Sequence, residues 1–294
     1  MNAESNVSAV SWLHGLQDYL EFTNDKEAKK FVDFFLGLLY SNSSPIEVKN
    51  ELDINEFVFQ IRKYANNKII DLIYKYFREG NDPKYLQDAF SRGQVNSKIW
   101  LVTELAKIQK KFDMIHVHAG WFGQHRIYLD NAGIEYNKMR IFDVDEDACK
   151  VSDTVFNNEL IKDYCVKATY LRLPFRDDSQ EEQDMPWVQR SGIEYEVKNF
   201  SKNTSYKEKT TPDLIINSSA EHMSSIWYHK MINRPMDSDP LFVIQTNNLF
   251  DVPEHQLCVH SLDHMQKKFP MSRLEYAGEK ELYGYKRFMM IGRP

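Results

Sequence analysis

The sequence predicts an α/β fold with a largely parallel sheet, preceded by an all-helical region. Three observations predict it. Apolar residues recur at helical spacing as far as about residue 109, short apolar strands alternate with helices from Lys111 onward, and a glycine turn joins the first strand to the helix after it.

In the first third, Val10, Trp12, Leu13, Leu16, Leu20 and Phe22 recur near helical spacing, and so do Phe31, Phe34, Phe35, Leu38 and Leu39. Asn42-Ser-Ser-Pro45 and Glu79-Gly-Asn-Asp-Pro83 break the pattern. Between and after them, Phe57 to Phe77 and residues 97–110 resume it. The expected organisation is a helical N-terminal domain over 1–109 and an α/β domain over 110–294.

In the second part, residues 112–118 read as a strand, Ala119 to Gly123 as a turn and 123–132 as a helix. A second strand, 139–143, ends in acid at Asp143 and Asp145, and a helix is expected over about 146–157, with another over 158–165. Residues 176–188 read as an inserted acidic loop, 193–197 as a short strand and 199–211 as an exposed polar segment. Strands at 212–216 and 241–245 end in Asn217-Ser218-Ser219 and in Gln245-Thr-Asn-Asn248. Residues 273–277 and 286–291 bracket Gly278 and Gly284 as a terminal hairpin. Strand, glycine turn, helix, strand and acidic tip are the parts of a mononucleotide-binding half-fold, which points to an adenosine-containing cofactor.

The chain has 294 residues, of which 42% are hydrophobic and 13% aromatic. That is enough for one or two proper cores. Its net charge of -6 and the lack of a basic cluster argue against nucleic acid as a partner. Three widely spaced cysteines suggest reduced thiols. Neither a leader-like N-terminus nor a membrane-length apolar run is seen, so a soluble, cytoplasmic protein is expected. Glu254, His255, Cys258, His260 and His264 lie close together, but their spacing fits no zinc signature and no metal site is expected.

Five βα steps closed by a β-hairpin resemble the Rossmann-like fold of class I S-adenosylmethionine-dependent methyltransferases over roughly 111–294. The first motif of that family is an apolar strand, an acid and spaced glycines. Here it stands as Val117-His118-Ala119-Gly120-Trp121-Phe122-Gly123, with His118 in the acidic position and Trp121-Phe122 in place of the middle glycine. Asp145, with Asp143 as competitor, matches the acid that holds the ribose in that family. Asn217-Ser218-Ser219 matches its fourth motif, which faces the reacting centre. The block 215–223, with 245–248, looks like a divergent bacterial and phage subgroup. A helical domain ahead of such a sheet is also similar to nicotianamine and azetidine-2-carboxylate synthases, which use the aminocarboxypropyl arm of the cofactor.

The resemblance implies S-adenosylmethionine as cofactor, held by His118, Gly120, Trp121, Phe122, Gly123, Asp143, Asp145 and Asn217. Glycines would admit close backbone approach, and an aromatic face at Trp121 or Phe122 would favour the sulfonium by about 0.5–2 kcal/mol. Asn217, Ser218 and Ser219 offer groups that orient a nucleophile. His222, beside Glu221, is the acid–base candidate, and Tyr164, Tyr170 and Tyr195 are candidate phenols. The plainer alternatives are a glycine turn shaped for packing, Asp145 as a helix cap and His116 as a packed residue. Three functions are expected in descending order. The first is a methyltransferase for a small metabolite. The second is a cofactor-consuming cyclase or aminocarboxypropyl transferase releasing methylthioadenosine. The third is a non-catalytic module.

Overall fold

The computed structural model describes residues 9–41, 54–63, 68–78, 89–121, 123–143, 145, 147–148, 151–152, 167–170, 193–199, 203–223, 226–233 and 238–294. Expectations that fall on Phe122, Tyr164, the breaks at 42–45 and 79–83, the helix at 158–165 and the loop at 176–188 lie outside them. The chain divides into two compact units, Met1–Trp100 and Leu101–Pro294.

The first unit is helical where described. Helices α1 (Ala9–Phe22), α2 (Lys26–Ser41), α3 (Ile54–Ile61) and α4 (Lys68–Arg78) are followed by α5 (Arg92–Ile108), which contains the division between the units. Trp12, Leu13, Leu16 and Leu20, spaced to share one face of α1, are fully buried. Asp25 caps α2 by accepting from the Ala28 N–H. Asp18 accepts from Arg92 Nε and Asn96 Nδ2, fixing α1 against the first turns of α5.

The second unit contains nine strands among its described residues: β1 (Lys111–His118), β2 (Glu135–Asp143), β3 (Lys167–Tyr170), β4 (Ile193–Asn199), β5 (Thr204–Thr210), β6 (Leu214–Asn217), β7 (Leu241–Asn247), β8 (Arg273–Leu282) and β9 (Tyr285–Arg293). Seven of them form one sheet in the order β3-β2-β1-β6-β7-β9-β8, and β4 pairs with β5 in a separate sheet. Neighbours from β3 to β7 run parallel, and β9 pairs antiparallel with both β7 and β8. Helix α6 (His125–Asn131) follows β1, α7 (Ile226–Ile232) follows β6, and α8 (Leu262–Lys268) precedes the final hairpin. Every residue of β6 and β7 is buried, as near-continuous apolar runs in a parallel sheet require. Trp227 and Tyr228 of α7 join Phe242, Phe269 and Phe288 in one buried cluster against that sheet.

Two elements differ from the sequence expectation. Residues 204–210 are polar and largely exposed as expected, and they form strand β5, which the sequence did not predict, paired antiparallel with β4. Its register sets Lys209 opposite Glu194 and Lys207 opposite Glu196, and Thr204–Thr210 has Tyr206 as its one large apolar residue, so it lacks an apolar alternation. Strand β3, Lys-Ala-Thr-Tyr, is a four-residue edge strand too short to carry a period of its own, and it contains Tyr170.

One ion pair ties the β4–β5 hairpin to the main sheet. Arg140 of β2, 1% exposed, meets Glu208 of β5. Two bonds join them, Nε to Oε2 at 2.6 Å and Nη2 to Oε1 at 2.8 Å. Paired bonds of this kind between a guanidinium and a carboxylate are strong and directional. Arg140 Nη1 also donates to the Met139 carbonyl. Glu208→Gln removes the carboxylate from a buried guanidinium and is expected to lower stability by about 3 kcal/mol in urea denaturation, whereas Arg140→Met combined with Glu208→Leu restores most of the loss. A neutral Glu208→Gln would show that the pair holds nothing.

Candidate functional site

The chain runs outward from β1 to β2 and β3, then returns across β1 to β6 and β7. Strand order therefore reverses between β1 and β6, the position outside whose carboxyl ends doubly wound sheets bind ligands. Four tips meet this edge: the turn after β1, the acids after β2, Asn217 to His222 after β6, and Asn247-Asn248 after β7.

The turn after β1 is tight. Ala119 and Trp121 both have left-handed backbones, with φ of 49° and 51°, and Gly123 has φ of 82°. Gly120 N–H donates to the Phe142 carbonyl and Gly123 N–H to the Gly120 carbonyl. A Cβ on Gly123 would overlap Ile141 Cδ1, and one on Gly120 would sit 2.7 Å from Ile141 Cγ2. Both glycines are thus required first by packing of the turn onto β2. Any approach to a ligand comes on top of that requirement.

The two acids at the β2 tip do different work. Asp143 spends both oxygens on backbone, accepting from Trp121 N–H at 2.6 Å and from Asp145 N–H at 2.9 Å. One carboxylate so clamps the β1 turn to its own strand end. Asp145 uses one oxygen, Oδ1, to accept from the Asp147 and Ala148 N–H groups, capping the helical segment that follows. Its Oδ2 accepts no hydrogen bond among the described residues and so keeps room for a further donor.

His118 belongs to the core. It is 2% exposed, stacks on Phe142 at 4.9 Å and accepts from Trp227 Nε1 through Nδ1. It replaces the expected acid because its environment is aromatic, and a carboxylate there would be buried against rings. His116, two residues earlier on the same face, contacts Phe142 and lies 2.8 Å from Thr210 Oγ1 through Nε2. Burial first, then the nearby His118 and Arg140, hold His116 well below the usual imidazole range.

At the β6 tip, Asn217 is fully buried and faces inward. Its Nδ2 donates to Met223 Sδ and its Oδ1 accepts from Ser219 N–H, shaping the loop. Ser218 Oγ lies 2.6 Å from His125 Nε2, both buried. This pair spans the strand-order reversal itself, joining the first residue of α6 to the β6 tip. Ser219 is half-buried and makes no capping bond to the 3-10 turn Ala220–His222. Arg287 of β9, 3% exposed, donates to the Ser218 carbonyl and sits 3.4 Å from Glu221 Oε1. His125 and Arg287 escaped sequence reading. His125 had one available signal, its place directly after the glycine turn, and Arg287 had none.

His222 is exposed, its ring 4.7 Å from that of His255. Loss of hydration lowers its proton affinity, with Glu221 pulling the other way. At the β7 tip, Asn247 accepts from Leu249 N–H, Asn248 from Lys286 N–H, and Thr246 donates to the Leu257 carbonyl, so these groups fold the following segment back on the strand.

Strand order, the parallel run from β3 to β7 and the reversed final hairpin together define the Rossmann-like sheet of the class I methyltransferase fold. No protein-family model and no curated protein matches the sequence. Among solved structures, the chain is similar to a SAM-dependent methyltransferase from Aquifex aeolicus, with 14% identity over 72% of this chain and 98% of that one, at a TM-score of 0.43. It is also similar to a putative methyltransferase from Pseudomonas syringae (10% identity, 68% and 97% covered, TM-score 0.41). A third is the 16S rRNA methylase ArmA (12% identity, 78% and 100% covered, TM-score 0.39).

The depressed proton affinity of His116 has a pH signature. The unfolded chain takes that proton first as pH falls, so the stability from neutral His116 is complete above about pH 6.5 and declines below it. The slope attributable to one such group is at most ~1.4 kcal/mol per pH unit. His116→Gln is expected to flatten the decline between about pH 6.5 and about pH 5 in urea denaturation, and an unchanged slope would contradict the assignment.

Proposed function

We propose that this chain is an S-adenosylmethionine-dependent methyltransferase acting on a small metabolite. The observation that carries the reading is the sheet itself: its strand order puts the Asp143-clamped turn and the Asn217-Ser218-Ser219 tip on either side of the reversal point. When bound, the cofactor supplies a methyl group on a sulfonium, open to in-line displacement.

The residues present fit that group on one test. Of the two acids at the β2 tip, Asp143 accepts from backbone through both oxygens and Asp145 through Oδ1 alone, so Asp145 takes the ribose hydroxyls through Oδ2. Gly120 and Trp121 form the floor of the adenosyl site, with their backbone fixed by Phe142 and Asp143. On the acceptor side, Ser219 and the buried Ser218–His125 pair orient the incoming nucleophile, and His125 holds the Ser218 hydroxyl in one direction. Such a displacement needs little acid–base help when the nucleophile is neutral, so orientation and exclusion of water supply most of the rate. The net charge of -6 favours a small or cationic acceptor over a phosphate backbone.

Calorimetric titration of the full chain with S-adenosylmethionine and with S-adenosylhomocysteine tests the reading. Both are expected to bind, and Asp145→Ala to weaken each at least tenfold, about 1.4 kcal/mol. Binding of neither form would overturn it. Product analysis then separates the chemistries. S-adenosylhomocysteine formed only with an added acceptor supports methyl transfer, whereas methylthioadenosine formed from the cofactor alone would replace it with attack on the aminocarboxypropyl carbon.

A further inference from the structure

Three side chains converge beside the β6 and β7 tips without taking part in the proposed transfer. Glu221 and His222 come from the 3-10 turn after β6, and His255 comes from the segment that folds back after β7. One ligand atom from each lies within 4.8 Å of the other two. We propose that Glu221, His222 and His255 form a binding site for a divalent transition-metal ion of the zinc type.

Each residue presents an atom suited to that role. Glu221 is 3% exposed. Its Oε1 faces the Arg287 guanidinium at 3.4 Å, while its Oε2 is buried and has no hydrogen-bond partner among the described residues. An unsatisfied buried oxygen costs roughly 1–3 kcal/mol, more when charged, and a cation at Oε2 removes that cost. His255 Nδ1 donates to the Leu249 carbonyl at 2.9 Å, which leaves the lone pair on Nε2 for a metal. A second ring nitrogen bonded to a carbonyl is the usual support of a metal-ligating histidine. His222 is exposed and its ring stands nearly perpendicular to that of His255. Tetrahedral ligands at ~2.1 Å stand roughly 3.4 Å apart, so the three donors, within 4.8 Å of one another, close by about an ångström on binding, with the exposed His222 ring the most free to move.

The donor set selects the ion. Two imidazoles and one carboxylate suit zinc and its first-row neighbours, whereas magnesium and calcium prefer oxygen. Three protein ligands leave at least one position open for water or substrate, as catalytic zinc sites do. Cys258 is not a further ligand. Its thiol donates to Asn247 Oδ1 at 3.2 Å and to the Leu249 carbonyl at 3.3 Å, and burial pushes its ionisation up to about 11. The site stands on these contacts alone and does not depend on the cofactor reading.

The test is calorimetric titration of ZnCl2 into the chelator-treated full chain, with the visible absorption of the CoCl2-loaded protein as a second readout. One equivalent is expected to bind, with the intense d–d bands of a four-coordinate cobalt ion. His222→Ala and His255→Ala are each expected to weaken binding at least tenfold, and His260→Ala, outside the cluster, to leave it unchanged. The exposed position of His222 keeps its variant folded, so the result does not hang on Glu221→Gln, whose loss would strand Arg287. Absence of stoichiometric binding in the wild-type chain, or binding that both histidine variants leave intact, would overturn the proposal.

Discussion

The carboxylate of Asp143 is the constraint on which this edge of the sheet depends. Left-handed backbone costs roughly 1–2 kcal/mol at a residue with a side chain. The turn after β1 contains two such residues, Ala119 and Trp121. Hydrogen bonds to a charged acceptor contribute about 1.5–3 kcal/mol each. Asp143 makes two, to Trp121 and Asp145. The bond to Trp121 offsets much of the strain in the turn, and the bond to Asp145 orders the strand end. One side chain therefore fixes both the bend after β1 and the backbone of the acid after β2.

Around that clamp, the other tips are joined by buried polar contacts. His125 meets Ser218, Arg287 meets the Ser218 carbonyl and Glu221, and Asn217 closes its own loop. Connected networks of this kind are stiff, because each member loses its partner if another moves. The hairpin matters for the same reason: β9 pairs antiparallel with β7 and so delivers Arg287 to the β6 tip. The final reversed strand, a feature of topology, thereby becomes a feature of the site.

Much of the architecture was legible in the sequence. Apolar runs such as Leu214 to Ile216 and Leu241 to Ile244 are readable because burial on both faces demands them. Strand β5 was not legible, because Thr204–Thr210 has one large apolar residue and so no apolar alternation. The site was legible by place more than by role. Gly120 and Gly123 stand where expected, but Ile141 is what excludes a side chain there. His118 occupies the motif position and packs in the aromatic core, since its fate depends on Trp227, far along the chain. Likewise, no spacing rule connects Glu221 and His222 with His255, because two separate strand ends bring them together.

Amide hydrogen exchange at Trp121 and Asp145 tests the central claim most directly. If Asp143 clamps the turn to the strand end, both N–H groups are slow to exchange in the wild-type chain, and both lose protection together in Asp143→Ala while the amides of β7 stay protected. Protection at Trp121 and Asp145 that survives the loss of the carboxylate would contradict the account.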